Sequence, residues 1–163
     1  MENIRNNQEE RKQIETINEP ENLAVVVIKP DAVDRADEVV RRLEHEGFSI
    51  QKRVRKILPE KFVDSRSENF PLDIQKETGK YLTTASSEII LLKGGDDIVE
   101  KLKFVTGENT NPGKSDKGSI RAIFGEHFPR KTDDGNDFFR NAIHRPANEE
   151  ERKSDLEQFR DIL

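Results

Sequence analysis

L-A-V-V-V-I, residues 23 to 28, is a continuous apolar run in which four of the six side chains are β-branched. A run of this kind predicts a strand that is buried on both faces. It ends at K-P-D-A-V, residues 29 to 33. The fold class then depends on which elements the rest of the chain can place beside and over this strand.

The chain after this strand alternates between helical and extended patterns. Apolar residues recur at helical spacing from residue 36 to 46, and Gly47 is placed to end that helix. Extended patterns predict strands around residues 50 to 58, 88 to 92 and 138 to 143. Further helical patterns lie at residues 60 to 85 (two weak segments), 96 to 105 and 120 to 124, and near the C-terminus on a stripe of Leu156, Phe159 and Leu163.

These elements alternate as β-α-β-α-β-α-β-α without an internal repeat. The order predicts an α+β, ferredoxin-like sandwich: a four-stranded antiparallel sheet with helices covering one face. We expect residues 23–163 to form one domain. Residues 1–22 are polar and charged, so we expect an N-terminal arm outside the domain.

The composition excludes several classes of function. The 163-residue chain is 37% charged with a net charge of −5, which gives no electrostatic reason to expect nucleic acid as a partner. The absence of cysteine excludes disulfides, thiolate metal sites and cysteine nucleophiles. No apolar stretch reaches membrane-spanning length, and the N-terminus does not resemble a signal peptide. We therefore expect a cytoplasmic protein without a membrane partner.

Four residues are candidates for chemistry, and each also has a simpler structural interpretation. Lys29 ends a buried strand, where it could enter a cleft or only extend its charge into water. Thr110 lies in a polar loop, residues 107 to 119, that could bind phosphate or simply be solvated. Arg121 lies among apolar residues and needs an anionic partner, and His144 ends a predicted strand. Spacing alone leaves both interpretations open for each residue.

Three short blocks, taken in order, resemble the signatures of nucleoside diphosphate kinases. They are K-P-D-A-V at residues 29 to 33, T-N-P followed by G-S-I-R at 110 to 121, and R-N-A-I-H at 140 to 144. The family forms are K-P-D-G/A-V, G-x-T-N-P, P-G-T-I-R and R-N-x-I-H-G-S-D. One block is a weak indication, but the ordered set is specific. The resemblance covers roughly residues 23 to 160.

The resemblance implies an enzyme in which a histidine takes the γ-phosphate of one nucleotide and passes it to a diphosphate. His144 would be the nucleophile, and Arg121 and Thr110 would hold phosphate oxygens. Lys29 would bind the sugar hydroxyl and the transferring phosphate, and Asn141 the ribose. Mg²⁺ would arrive with the nucleotide, so no metal site built from protein ligands is expected.

The base site implied by the resemblance is a helical segment, F-V-D-S-R-S-E-N-F at residues 62 to 70. Phe70 would stack on the base, which every base permits through its ring face, and Asp64 would lie near the metal. Family members also assemble as dimers built into larger oligomers. The resemblance therefore implies a homo-oligomer here.

The sequence departs from the family at several places, one of which is a few extra residues between Phe70 and Tyr81. The arginine that precedes the phosphate loop falls at about Lys103, which keeps the charge but loses the bidentate fork. G-S-D after the histidine is replaced by Arg145, Pro146 and Ala147. Asp155 is the nearest equivalent of the carboxylate that orients the histidine, and about ten extra residues lie between Arg121 and Asn141. The departures favour an alternative: a catalytically weak or inactive nucleotide-binding regulatory module of the same fold.

Overall fold

The computed structural model describes residues 22–62 and 70–163. The predicted N-terminal arm, apart from Asn22, lies outside the described residues, as does most of the first weak helical segment. The strands are β1 (Leu23–Ile28), β2 (Ser49–Ile57), β3 (Ser86–Lys93), β4 (Arg130–Lys131), β5 (Asp137–Phe138) and β6 (Ile143–His144). The α-helices are α1 (Ala36–His45), α2 (Leu72–Thr84), α3 (Ile98–Thr106), α4 (Ile120–Phe124) and α5 (Glu149–Gln158), and 3-10 turns occur at Val33–Arg35 and Pro112–Lys114.

The central sheet has four strands in the order β2-β3-β1-β6, and every neighbouring pair is antiparallel. The predicted ferredoxin-like α+β sandwich is therefore confirmed. β1 lies between β3 and β6, and its residues from Ala24 to Ile28 are fully buried. The continuous apolar run is explained by this position, because a strand with neighbours on both edges and cover on both faces exposes no side chain.

Helices cover both faces of the sheet, so the prediction that they cover one face is wrong. Ala24, Val26 and Ile28 of β1 point into a core shared with α1, α3 and α4. Val25 and Val27 point into a second core shared with α2 and with residues at the end of α5. The reason lies in β1 itself, since side chains alternate across a strand and this strand is apolar at both parities.

The fourth strand is much shorter than residues 138 to 143. Phe138 belongs to a separate hairpin, in which β4 pairs with β5, and only Ile143 and His144 pair with β1. Ala142 explains the break, because its φ of +70° is incompatible with extended backbone. The hairpin lies between Arg121 and Asn141, the interval in which the sequence predicts about ten residues beyond the family pattern. Within the described ranges, no helix has the length and apolar character needed to span a bilayer.

Candidate active site

A cleft of about 450 Å³ opens beside the paired ends of β1 and β6. Six of the seven predicted site residues line it: Lys29, Phe70, Thr110, Arg121, Asn141 and His144. The seventh, Lys103, is not part of the lining; its ammonium lies 3.0 Å from a carboxylate oxygen of Glu100 on the same helix. The antiparallel pairing of β1 with β6 brings these residues together, since it places Lys29, the first residue of the first block, beside the third block.

Lys29 leaves the end of β1 and joins a chain of hydrogen bonds in the cleft. Its Nζ donates to Oδ1 of Asn141 at 2.7 Å, and Nδ2 of Asn141 donates to the carbonyl of Thr110 at 3.1 Å. Burial, followed by the nearby charge of Arg121, lowers the pKa of Lys29 to about 8, while Asp31 opposes the shift. Through Asn141, Lys29 is therefore connected to the T-N-P block and to the R-N-A-I-H block.

The backbone before His144 is strained and is fixed by Asp31. Ala142 has a positive φ, which is uncommon for a residue with a Cβ and concentrates at functional sites. Its N–H donates to Oδ2 of Asp31 at 2.9 Å, and its carbonyl accepts from the N–H of Lys29 at 2.7 Å. Tyr81 donates its hydroxyl proton to the other oxygen of Asp31. The K-P-D block therefore sets the direction of the strand that carries His144.

His144 is oriented by a carboxylate beneath it. Its Nε2 lies 3.1 Å from Oδ2 of Asp155, which is fully buried on α5. Nη1 of Arg152, on the same helix, donates to the carbonyl of Leu23 at 2.8 Å and holds α5 against β1. A hydrogen bond from Nε2–H to a carboxylate assigns the neutral tautomer in which Nδ1 carries the lone pair. The ring also meets Phe62 edge to face, with 5.7 Å between centroids.

Arg121 is almost completely buried and binds backbone carbonyls. Nη1 donates to the carbonyl of Gly107 at 3.0 Å, and Nη2 donates to the carbonyl of Ile143 at 3.3 Å. Burial, followed by the positive charge of Arg145, lowers its pKa to about 10. Within the part of the chain that the structure describes, it forms no ion pair with a carboxylate. A guanidinium in this state favours an anion arriving from the cleft.

The polar loop from residue 107 to 119 has a defined conformation. Gly107 has a φ of +93°, and a Cβ on it would lie 2.8 Å from Oγ of Ser119. Asn111 accepts a hydrogen bond from the N–H of Gly113 at 2.9 Å, and Ser119 caps α4 by accepting from the N–H of Ala122 at 3.3 Å. The loop therefore delivers Thr110 to the cleft at one end and Arg121 at the other.

Phe70 lies at the mouth of the cleft with 52% of its surface exposed. A smaller cavity of about 280 Å³ adjoins it, lined by Ile74 of α2 together with Phe138 and Phe139 of the hairpin region. Asp73 holds the hairpin to α2 by accepting hydrogen bonds from Thr132 and Asn136. An exposed aromatic face beside an apolar cavity is suited to a flat heterocycle. Asp64, the other residue predicted near this place, lies outside the described residues.

Four residues of the site were not assigned roles from the sequence. Asp31 belongs to K-P-D-A-V, and its place in that block is the signal that could have found it. Arg145 stands in the sequence only as a departure from the family pattern, and it lines the cleft together with Glu108 and Glu151. Glu108 adjoins the T-N-P block, but nothing in the sequence around Glu151 separates it from the neighbouring acidic residues.

One group of side chains around His144 has the ligand types of a metal site. His144, Glu151 and Asp155 each offer one ligand atom, and these atoms lie within 4.8 Å of one another. The same geometry serves to orient an imidazole, with Nε2 of His144 3.8 Å from the Glu151 carboxylate. Since Nε2 already contacts Asp155 at hydrogen-bond distance, the orienting role accounts for the arrangement without an ion.

A second cavity, of about 470 Å³, lies on the other side of Asp31 and Tyr81. Three of its four basic residues are paired with acids: Arg130 with Glu126 at 2.9 Å, Lys131 with Asp137, and Arg140 with Glu126 at 3.9 Å. Paired cations offer less to an anionic ligand than the carbonyl-bound Arg121 does. The cleft at His144 is the better candidate for chemistry.

Comparisons with known proteins show the family of the chain. The family model "Nucleoside diphosphate kinase" matches residues 22–161. The chain is 28% identical over 127 residues to the nucleoside diphosphate kinase of Dehalococcoides mccartyi, which covers 74% of this chain and 85% of that protein. It is 27% identical over 120 residues to nucleoside diphosphate kinase homolog 7 of Rattus norvegicus, covering 72% of this chain but only 30% of that longer protein.

A solved structure has the same fold. The nucleoside diphosphate kinase of Borrelia burgdorferi, determined with bound vanadate and ADP as a transition-state mimic, superposes with a TM-score of 0.68 at 20% identity. The superposition covers 83% of this chain and 84% of that one. The family model spans nearly all of the described chain, and the fold agrees. The chain therefore belongs to the nucleoside diphosphate kinase family.

Proposed function

We propose that the protein is a nucleoside diphosphate kinase that uses His144 as its phosphate acceptor. The observation that carries the proposal is the orientation of His144 by Asp155 in the same cleft as Lys29 and Arg121. Phosphoryl transfer needs an oriented imidazole that shares a cleft with cations, and neither of these two cations forms an ion pair with a carboxylate among the described residues. That reaction depends on an in-line nucleophile and on donors for the equatorial oxygens.

The proposed reaction has two half-reactions. Nδ1 of His144 attacks the γ-phosphorus of a nucleoside triphosphate, a nitrogen–phosphorus bond forms, and the bond from phosphorus to the β-phosphate oxygen breaks. The nucleoside diphosphate leaves, and a second diphosphate attacks the phosphohistidine in reverse. The buried carboxylate of Asp155 stabilises positive charge that develops on the imidazole. Neither half-reaction needs a second acid or base, because the leaving oxygen departs as a phosphate anion.

The substrate is a Mg²⁺–nucleotide, so the metal enters as part of it. In the proposed pose Arg121 and Thr110 hold phosphate oxygens, Lys29 holds the sugar hydroxyl and the transferring phosphate, and Asn141 holds the ribose. Phe70 stacks on the base at the mouth of the cleft. The Lys29–Asn141 hydrogen bond of 2.7 Å supports the pose, since it places a sugar ligand and a phosphate ligand in contact.

The test of this function is labelling with [γ-³²P]ATP followed by addition of a nucleoside diphosphate. The expected result is label on the protein that is stable to base, labile to acid, and discharged by the diphosphate. The alternative is the nucleotide-binding regulatory module, favoured by Arg145 and Pro146 in place of small residues beside the histidine. Thermal stabilisation by nucleotide without labelling would select that alternative. Neither labelling nor stabilisation would exclude both.

Lys29 carries a prediction for the pH dependence of binding. Its pKa of about 8 means that its charge is lost in the unliganded protein as pH rises through that value. A phosphate contact favours the protonated form, so binding takes up a proton above pH 8 and nucleotide affinity falls by up to about tenfold per pH unit. Calorimetry at pH 7, 8 and 9 measures this. Lys29→Gln should bind more weakly at pH 7 and lack this dependence, and an equal slope in both proteins would contradict the assignment.

The lowered pKa of Lys29 also makes the free energy of unfolding depend on pH. The folded-state pKa of Lys29 lies below its ordinary value of about 10.4, so the unfolded chain binds more protons at that site between pH 8 and 10.4. The contribution of Lys29 to the free energy of unfolding therefore increases with pH across this interval. Below pH 8 its buried charge opposes folding in full. Denaturant unfolding of Lys29→Gln beside the parent across this range isolates that contribution.

The proposed domain is residues 23–163, the proposed assembly is a homo-oligomer, and the proposed location is the cytoplasm. β2 supports self-association, since it is an edge strand whose outer side has no partner among the described residues. Sedimentation velocity at micromolar concentration should give a mass of two or more chains. A single monomeric species would contradict the assembly, and imaging of a fluorescent fusion tests the location.

A further inference from the structure

We propose that Arg145 is the second phosphate-binding arginine of this site, in the role that the family pattern would give to the position of Lys103. The proposal deepens the function above and rests on it for the identity of the ligand. It concerns a residue that the sequence pattern marks only as a departure. The ligand class is a polyphosphate chain, as in a nucleoside triphosphate.

The two guanidinium groups are anchored on consecutive residues. Nε of Arg145 donates to Oγ1 of Thr106 at 3.2 Å, and Nη1 of Arg121 donates to the carbonyl of Gly107 at 3.0 Å. Both arginines line the cleft that contains His144. The end of α3 therefore brings two guanidinium groups together on one wall, next to the proposed nucleophile.

Arg145 retains donors for a ligand. Besides the bond to Thr106, it makes one long contact, from Nη1 to the carbonyl of Pro146 at 3.5 Å. A guanidinium has five N–H groups, so most of them face other directions. Within the described ranges neither arginine is ion-paired with a carboxylate. Burial lowers the pKa of Arg145, and Glu151, Glu108 and Glu100, which act only as more distant charges, oppose that lowering in part.

Two like charges held together in a half-buried cleft are unfavourable unless an anion lies between them. The positive charge of Arg145 contributes to lowering the pKa of Arg121, which reflects this repulsion. A polyphosphate would relieve it and would accept charge-assisted hydrogen bonds from both forks. Pro146 adds rigidity, because a residue that precedes proline is confined to extended backbone.

Lys103 has a different environment. It lies one helical turn before Thr106 on α3, its ammonium is 3.0 Å from the Glu100 carboxylate, and it is outside the cleft lining. A lysine there supplies a mobile point charge already compensated by an acid. The family pattern would place a phosphate-binding cation at the position of Lys103. In this protein Arg145 supplies that cation, and it contacts the C-terminal end of α3 through Thr106.

The test is calorimetric titration with inorganic tripolyphosphate, which contains the polyphosphate chain without a base or sugar. We expect Arg145→Ala to weaken binding by about tenfold or more, as for loss of a charge-assisted contact, and Arg145→Lys to recover part of that loss. Thr106→Val, which removes the anchor and also the hydroxyl's hydrogen bond to the carbonyl of Leu102, should give a smaller loss. Lys103→Ala should weaken binding by less than Arg145→Ala does. Lys56→Ala, which removes an exposed cation on β2, is the control for net charge.

The proposal is overturned if the parent protein does not bind tripolyphosphate. It is also overturned if Arg145→Ala weakens tripolyphosphate binding no more than Lys103→Ala does. Melting temperatures without ligand show whether a variant is folded, and Arg145→Lys repeats the comparison if the alanine variant is not. The outcome is separate from that of the proposed kinase activity. Tripolyphosphate binding that depends on Arg145, without labelling of His144, would leave the phosphate site standing and remove the kinase.

Discussion

His144→Ala is expected to abolish phosphoryl transfer while changing the dissociation constant for a nucleoside triphosphate by no more than a few-fold. The nucleophile forms its bond only as the reaction proceeds and contributes little to ground-state binding. No other side chain assigned to the cleft combines an imidazole lone pair with an orienting carboxylate, so the loss in rate should be on the order of four decades or more. Transfer is measured by labelling and discharge, and binding by calorimetry.

The chain offers two matched controls for this substitution. His45 lies exposed on α1, and His127 contacts the carbonyl of Ala122 outside the cleft, so replacing either with alanine should leave labelling unchanged. Asp155→Asn is the graded variant, since it can still contact Nε2 but no longer stabilises a positive imidazole. We expect it to lower the rate by about one to two decades with little change in affinity. Full transfer activity in His144→Ala would remove the proposed mechanism.

The central strand of the fold was predictable because its environment requires what its sequence contains. β1 is apolar at both parities, and a strand between two neighbours under helices on both faces has no exposed position. The bounds of the fourth strand were not predictable, because they depend on a contact that is distant in the sequence. Residues 138 to 143 are apolar enough for one strand, but the positive φ of Ala142 is stabilised by Asp31, which lies 111 residues earlier. A contact between such distant positions leaves no trace in local pattern.

The candidate site also contains residues that the sequence predicts and residues that it does not. The sequence could predict that residues of the three blocks lie in one site, because the resemblance assigns all of them to one nucleotide site. The antiparallel pairing of β1 with β6 places the first block beside the third. The sequence could not show that Arg145 lines the cleft and Lys103 does not, since both are basic residues and their types do not distinguish them. What separates them is the direction in which each side chain bonds, to Thr106 in the cleft or to Glu100 along the helix. Side-chain direction is a tertiary property.

Arg121→Ala should lower the rate of transfer by about two to three decades, equivalent to about 2.7–4 kcal/mol of transition-state stabilisation. Its guanidinium is only 6% exposed and is held by carbonyls that fix its position without neutralising it. Such a group interacts with phosphate charge in surroundings of low polarity, where the interaction is strongest. Lys103→Ala should cost no more than about one decade, because its ammonium is already compensated by Glu100. Single-turnover labelling of both variants measures the difference.

The structural role of Arg121 requires a second variant. Its removal leaves the carbonyls of Gly107 and Ile143 without their donor, and a buried unsatisfied carbonyl costs about 1–3 kcal/mol of unfolding free energy. Arg121→Lys keeps a cation there but not the fork that spans both carbonyls and a phosphate. If phosphate binding is the main role, Arg121→Lys should transfer faster than Arg121→Ala yet far more slowly than the parent, at a melting temperature showing that it is folded. Equal rates in Arg121→Ala and the parent, with both folded, would mean that another cation holds the transferring phosphate.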